Sequence, residues 1–229
     1  MLYLIYFLLL ALRAMAVTLP NVEAGVPSVI RSEGLPEGYT EGPIMWSGFG
    51  DYLSGLQGSD GSGKNVKNLQ LNGTVQNIYH QLEVLGFPLQ PLNETELDAK
   101  MNAIEIKGGS ATPPTKDISR QCGVGGVDTV SAYDLSAGAA YLGSLGDDMK
   151  CSNMGKSCGR ISCSYDSAIW WCNDNTNVIE YQCNLFAYYA WEVYYHCSRG
   201  DGNDRQCRGQ ITENGLHFRT LVGRSPDHC

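Results

Sequence analysis

Cys158-Gly159-Arg160-Ile161-Ser162-Cys163-Ser164-Tyr165-Asp166-Ser167-Ala168-Ile169-Trp170-Trp171-Cys172 is the stretch that decides how this chain is read. Two runs of small, β-branched and aromatic residues flank Asp166-Ser167, a pair suited to a turn. The segment predicts a hairpin with arms at 160–165 and 168–172. Successive side chains leave a strand on opposite faces, so Trp170 and Trp171 cannot share one. One of the two must depart from the main core.

Working outward, Gln210-Ile211-Thr212 and residues 216–222 flank Glu213-Asn214-Gly215, and Asn-Gly is the strongest short-range hairpin signal. Between the hairpins, Asn177 with Glu180 three residues on matches a capping box that would open a long helix reaching Cys197. Upstream, residues 132–145 read as a helix, although Gly138 and Gly143 each weaken it by about 1 kcal/mol relative to Ala. The order is helix, hairpin, helix, hairpin. This predicts an α+β fold over residues 122–229, with two helices packed on one face of a four-stranded antiparallel sheet.

All nine cysteines lie in that module: Cys122, Cys151, Cys158, Cys163, Cys172, Cys183, Cys197, Cys207 and Cys229. Nine is odd, so four disulfides leave one thiol, either free or bonded to a second chain. On the predicted helix Cys183 and Cys197 share a face, yet about 1.5 Å of rise per residue sets them about 21 Å apart. A disulfide cannot reach that far, so each must staple the helix to something else. Cys122 and Cys229 bracket the module, and one of them is the expected odd thiol. Zinc is a poor reading of Cys158-x4-Cys163 and His196-Cys197, because no paired Cys-x2-Cys set exists. Neither metal nor cofactor is expected.

The first 121 residues contain no cysteine. Leu2 to Leu12 is an unbroken apolar run, too short for a bilayer span, and Ala14-Met15-Ala16 supplies a small-x-small cleavage pattern. Residues 1–16 are read as a signal peptide, and secretion is the expected destination. Asn72-Gly73-Thr74 and Asn93-Glu94-Thr95 are N-glycosylation acceptors consistent with it. Residues 17–64 are rich in Pro and Gly and read as loop. Residues 65–107 are read as helical, from a stripe of Val75, Ile78, Leu82 and Leu85 and a second helix capped by Asn93 with Leu97, Met101 and Ile104. Residues 108–121 read as a linker.

With 16 Lys+Arg against 24 Asp+Glu, the formal net charge is −8, which disfavours nucleic acid and anionic membranes. Gly58 to Lys64 has phosphate-loop spacing, but Asn65 replaces the Ser or Thr that would hold magnesium. The best catalytic candidates are His217 and Arg219, expected to share the outer face of the last strand, as in a small ribonuclease or hydrolase. Clustered aromatic residues form the other candidate surface. Tyr181, Tyr188 and Tyr195 recur every seven residues on the predicted helix, with Trp191 at the edge and Trp170 or Trp171 near by.

Residues 158–175, a following helix with two cysteines, Gly209-Gln210 and the terminal cysteine resemble small cysteine-rich secreted proteins of filamentous fungi, many of them effector candidates. The resemblance covers residues 151–229 and implies secretion without a mechanism. A looser likeness, of element order alone, is to secreted killer toxins. The expectation is a non-enzymatic effector- or toxin-like protein. Its target would be an unknown host or competitor protein or glycan, met through the aromatic surface. The rivals are a hydrolase using His217 and Arg219 and a cell-wall carbohydrate binder using Trp170 or Trp171.

Overall fold

The computed structural model describes residues 35–54, 69–93, 95–100, 117–123, 128–225 and 228–229. The expected signal peptide, the glycine-rich run near residue 60, Met101 and Ile104 lie outside the described residues.

Both predicted hairpins form. β7 (Ser157–Ser164) pairs antiparallel with β8 (Ser167–Asn173). Tyr165 and Asp166 turn the chain between them, both with left-handed φ, 48° and 64°, as a tight two-residue hairpin requires. β11 (Gly209–Glu213) pairs with β12 (Phe218–Arg224), and β12 also pairs with β8, which joins the two hairpins into one sheet.

That sheet has six strands rather than the expected four, in the order β1-β7-β8-β12-β11-β4. Its edges come from outside the predicted module. β1 (Thr40–Glu41) lies parallel to β7, and β4 (Ile118–Cys122) covers β11 from a segment expected to be linker. Each hairpin left a row of unpaired backbone groups, and these short segments satisfy it.

A second sheet, in the order β3-β2-β6-β9, mixes the two halves of the chain. β2 (Met45–Ser47) and β3 (Leu71–Asn72) come from the cysteine-free half, β6 (Lys150–Asn153) and β9 (Ile179–Gln182) from the other. β9 corrects the expected helix start. Residues 179–182 are strand, held antiparallel to β6 with Cys151 opposite Tyr181. Asn177 does not cap, and its carbonyl accepts from Asn173 Nδ2 at 2.7 Å. A two-stranded ladder pairs β5 (Val130–Ser131) with β10 (Gln206–Cys207).

The helices at 75–84, 132–143 and 185–197 pack on the inner face of the six-stranded sheet. α1 (Phe49–Ser54) contributes Phe49 and Leu53 to the core. α2 (Val75–Val84) is opened by a capping box between Thr74 and Asn77 and buries Val75, Ile78 and Leu82 as the stripe predicted. α3 (95–100) starts at Asn93, whose Oδ1 accepts from the Glu96 amide at 2.9 Å. α4 (Ala132–Gly143) is capped by Ser131, and α5 (Leu185–Cys197) packs against it. Gly138 lets α4 approach the sheet, since a Cβ there would stand 2.6 Å from Ser162 Oγ.

One core unites the two halves. Ile44, Trp46, Phe49, Leu53, Ile78 and Leu82 lie in the same buried cluster as Trp171, Phe186, Tyr189 and Phe218. The expected linker at 108–121 therefore does not separate two packing units. On the outer sheet face a smaller cluster gathers Cys158, Cys172, Cys163, Ala168, Trp170 and Leu221, with Leu35 and Tyr39 laid over it. Trp170 and Trp171 do leave on opposite faces. Both are buried, because the N-terminal segment roofs the outer one.

Four disulfides staple this frame: Cys122–Cys197, Cys151–Cys183, Cys158–Cys172 and Cys163–Cys229. Cys183 precedes α5 rather than lying in it, and neither it nor Cys197 pairs with the other. The odd thiol is Cys207, not Cys122 or Cys229. β4 sets Cys122 opposite Gly209, and a Cβ on Gly209 would stand 2.9 Å from Cys197 Sγ, so this glycine makes room for the bridge. Cys207 points into the core, its Sγ 3.6 Å from the Val193 carbonyl, and burial pushes its pKa up to about 11. An intermolecular disulfide through this thiol would first require the core to open. A chromogenic disulfide reagent should find no reactive thiol in the native protein and one per chain in denaturant. A reactive native thiol would contradict this placement.

Among the described residues no helix is long and apolar enough to cross a membrane.

Candidate functional site

The side chains of α5 divide by face. Leu185, Phe186, Ala187, Tyr189, Ala190, Val193 and Cys197 are buried, as a helix packed against a sheet and a second helix requires. Tyr188, Trp191 and Tyr194 are half-buried, and Tyr195 is 70% exposed. Trp191 and Tyr194, one turn apart, stack with ring centroids 4.8 Å apart and planes within 18°. The Arg205 guanidinium covers the Tyr194 ring at 4.6 Å and donates to its hydroxyl at 3.2 Å. Tyr195 meets His196 edge to face at 5.3 Å. Below them Glu192 accepts from Arg120 Nε and Nη2 at 2.8 and 2.6 Å, with His196 Nε2 3.5 Å away.

Of the aromatic residues expected at a recognition surface, Tyr188, Trp191 and Tyr195 come together here. Tyr181 does not. It sits on β9, in contact with Trp171 at 6.2 Å and Phe218 at 5.2 Å within the core cluster. Trp170 and Trp171 are at most 1% exposed, so neither presents a ring to solvent. Tyr194 and Arg205 were missed from the sequence. The Trp191-x2-Tyr194 spacing marked the first of them, but Arg205 reaches the ring only because the chain doubles back after α5.

His217 and Arg219 part company. His217 belongs to the turn rather than the strand, with φ at 55°, and is exposed. Its carbonyl accepts from the Asp174 amide at 2.9 Å and from Asn175 Nδ2 at 3.0 Å. Arg219 does lie on the outer sheet face, but it chelates Asp174 through Nε and Nη2 at 3.1 and 3.0 Å. Nη2 also donates to the Tyr39 hydroxyl at 3.1 Å, and that hydroxyl donates to Asp174 Oδ1 at 2.5 Å. This triangle pins the segment carrying Tyr39 onto the sheet. A guanidinium committed to a carboxylate in this way holds structure together.

The triangle has a consequence at high pH. Burial, and then the Asp174 carboxylate, push the Tyr39 hydroxyl up to about 12, and burial beside Glu213 drives Tyr189 further in the same direction. The unfolded chain would release both protons near pH 10 while the folded one keeps them. Stability is therefore complete below about pH 10 and falls as pH rises toward 12. Ultraviolet titration should show a late-ionising group of tyrosines that deprotonate together with unfolding. A single smooth titration centred near 10 would contradict it.

Both glycosylation acceptors, Asn72 and Asn93, are exposed. Asn72 lies on β3 at the edge of the second sheet, and Asn93 caps α3. Among the described residues no group of three or more His, Cys, Asp and Glu could hold a metal ion. Two open pockets were not foreseen. One, of about 310 Å³, lies between α2 and the segment after it and is lined by Tyr79, His80, Glu83, Pro91 and Tyr141. The other, of about 290 Å³, lies at the C-terminal end of α5.

Comparison of the chain with protein-family models, with curated proteins and with solved structures finds no match in any of the three.

Proposed function

We propose that this is a secreted, non-enzymatic protein of the effector or toxin type. It binds a protein or glycan target through the solvent face of α5, formed by Tyr188, Trp191, Tyr194 and Tyr195. The observation that carries the reading is the stack of Trp191, Tyr194 and Arg205 beside the exposed Tyr195. Rigid aromatic rings with polar tips supply large contact area at little entropic cost, and ring faces backed by a guanidinium are fixed before a partner arrives. The four disulfides suit an extracellular destination, as does the reading of residues 1–16 as a signal peptide. Arg219, committed to Asp174 and Tyr39, supports the non-enzymatic reading.

The test compares wild type with a Trp191→Ala, Tyr195→Ala double variant. Capture is measured on insoluble cell-wall polysaccharides and on an array of extracellular proteins. At least a tenfold loss of capture is expected, with the melting temperature little changed, since neither side chain is wholly buried. Undiminished capture by the variant would remove the surface from consideration. Degradation of RNA or glycans by the wild type, abolished by His217→Asn, would replace this reading with the hydrolytic one.

A further inference from the structure

The hollow between α2 and the segment after it has a volume of about 310 Å³, at the small end of the roughly 300–1,000 Å³ range of small-molecule sites. Gln76, Tyr79, His80 and Glu83 stand at i, i+3, i+4 and i+7, a single stripe of α2, and form one wall. Residues 88–91, Pro-Leu-Gln-Pro, form the second wall, and Tyr141 joins the lining from α4.

Part of this lining is fixed by the fold. The Phe87 amide reaches back to the Leu82 carbonyl at 2.8 Å, which turns the chain after α2, and the Phe87 ring is buried in the core. At the far end Asn93 and Glu96 exchange their capping hydrogen bonds, both 2.9 Å. Two prolines stiffen the span between these anchors. Gln76 is committed as well: Nε2 donates to the Ser162 and Ser164 hydroxyls at 2.8 and 2.9 Å, and Oε1 accepts from the Cys163 amide at 3.0 Å. The Tyr79 hydroxyl donates to the Tyr141 carbonyl at 3.1 Å, and the two rings meet edge to face with centroids 4.8 Å apart.

The other groups are uncommitted. Among the described residues no hydrogen bond reaches the side chains of His80, Glu83 or Gln90, or the backbone of residues 88–91. Imidazole, carboxylate, amide and peptide carbonyls make a mixed set of donors and acceptors. Tyr141 is half-buried and keeps part of its surface uncovered. The described lining residues include no Lys or Arg, so none of them carries a fixed positive charge to neutralise an anion. A sugar hydroxyl donates and accepts at once, which suits a mixed set, and the C–H face of a pyranose suits an aromatic ring. We infer that this pocket binds a neutral sugar unit, with His80 and Glu83 on its hydroxyls and Tyr141 against its apolar face. Glu83 repels a uronate carboxylate and so sets the preference for neutral sugars. None of the described lining residues belongs to α5, so the site goes beyond the aromatic surface proposed above and does not rest on it.

The test is calorimetric titration of the full protein with four probes: a β-glucan trisaccharide, an N-acetylglucosamine trisaccharide, a uronate trisaccharide and sorbitol, an open-chain polyol. At least one neutral trisaccharide is expected to bind about tenfold or more tightly than the uronate and sorbitol. Glu83→Ala, at an exposed position, should weaken that binding about tenfold with the melting temperature unchanged. Glu83→Gln, which keeps a hydrogen-bonding group and removes the charge, should retain the neutral sugar and bring the uronate within about threefold of it. Neutral sugars no tighter than sorbitol, a uronate as tight as the neutral sugars in wild type, an unaffected Glu83→Ala variant, or a Glu83→Gln variant that still excludes the uronate would each overturn the inference. The Trp191→Ala, Tyr195→Ala variant should keep the full trisaccharide affinity. Loss of it there would assign the sugar to α5 and overturn the pocket. If every sugar fails with wild type while that double variant still loses target capture, the pocket falls and the aromatic surface stands.

Discussion

Replacing Trp46 with Ala is expected to cost about 3–5 kcal/mol, a large share of the about 5–15 kcal/mol that a folded domain of this kind possesses. Trp46 is fully buried at the centre of the second sheet, between Leu71 of β3 and Cys151 of β6. Its indole N–H donates to the Gly73 carbonyl at 2.8 Å, so truncation leaves a cavity and removes a part-buried hydrogen bond. Because Trp46 shares its core with Trp171 and Phe218, guanidinium melts should show one cooperative transition in wild type and variant alike, displaced to lower denaturant in the variant. A biphasic melt, with the cysteine-rich part unmoved, would mean that the two halves fold as separate units.

Removing the Cys122–Cys197 bridge should have the next largest effect. The chain between its ends spans 75 residues, against 14 for Cys158–Cys172. Chain entropy alone assigns about 4 kcal/mol to the longer loop and about 3 kcal/mol to the shorter. Paired Cys→Ala variants of each bridge, with the other three left oxidised, should therefore rank in that order by midpoint. The opposite ranking would show that packing governs, since Cys158 and Cys172 are both fully buried under Leu35 and Tyr39.

These two effects also mark where local sequence stopped being informative. The hairpins at β7–β8 and β11–β12, the opposed faces of Trp170 and Trp171, the Asn93 cap and the buried stripe of α2 follow from residues close together in the chain. Residues 177–184 did not yield to the same reasoning. Asn177, Glu180 and the apolar spacing fit a helix, while Ile179 and Tyr181 fit a strand equally well. What decides is the free edge of β6, brought alongside by the Cys151–Cys183 staple. Strand β4 was concealed for a related reason. Ile118-Ser119-Arg120-Gln121-Cys122 has little strand character, and the exposed edge of β11 recruits it.

The candidate surfaces divide in the same way. Tyr188, Trp191 and Tyr195 lie within eight residues of one helix, and helical spacing suffices to group them. Arg205 over Tyr194 depends on the chain folding back after α5. By itself the sequence determined an α+β, cysteine-rich chain with two hairpins, an aromatic helix and one sulfur too many for pairing. Tertiary structure alone decided which sulfur that is, that the sheet has six strands, that both halves share one core, and which aromatic rings meet solvent. Turns, caps and face alternation are set by neighbours a few residues apart, whereas edge pairing, burial and disulfide partners depend on backbone and side chains brought together from distant parts of the chain.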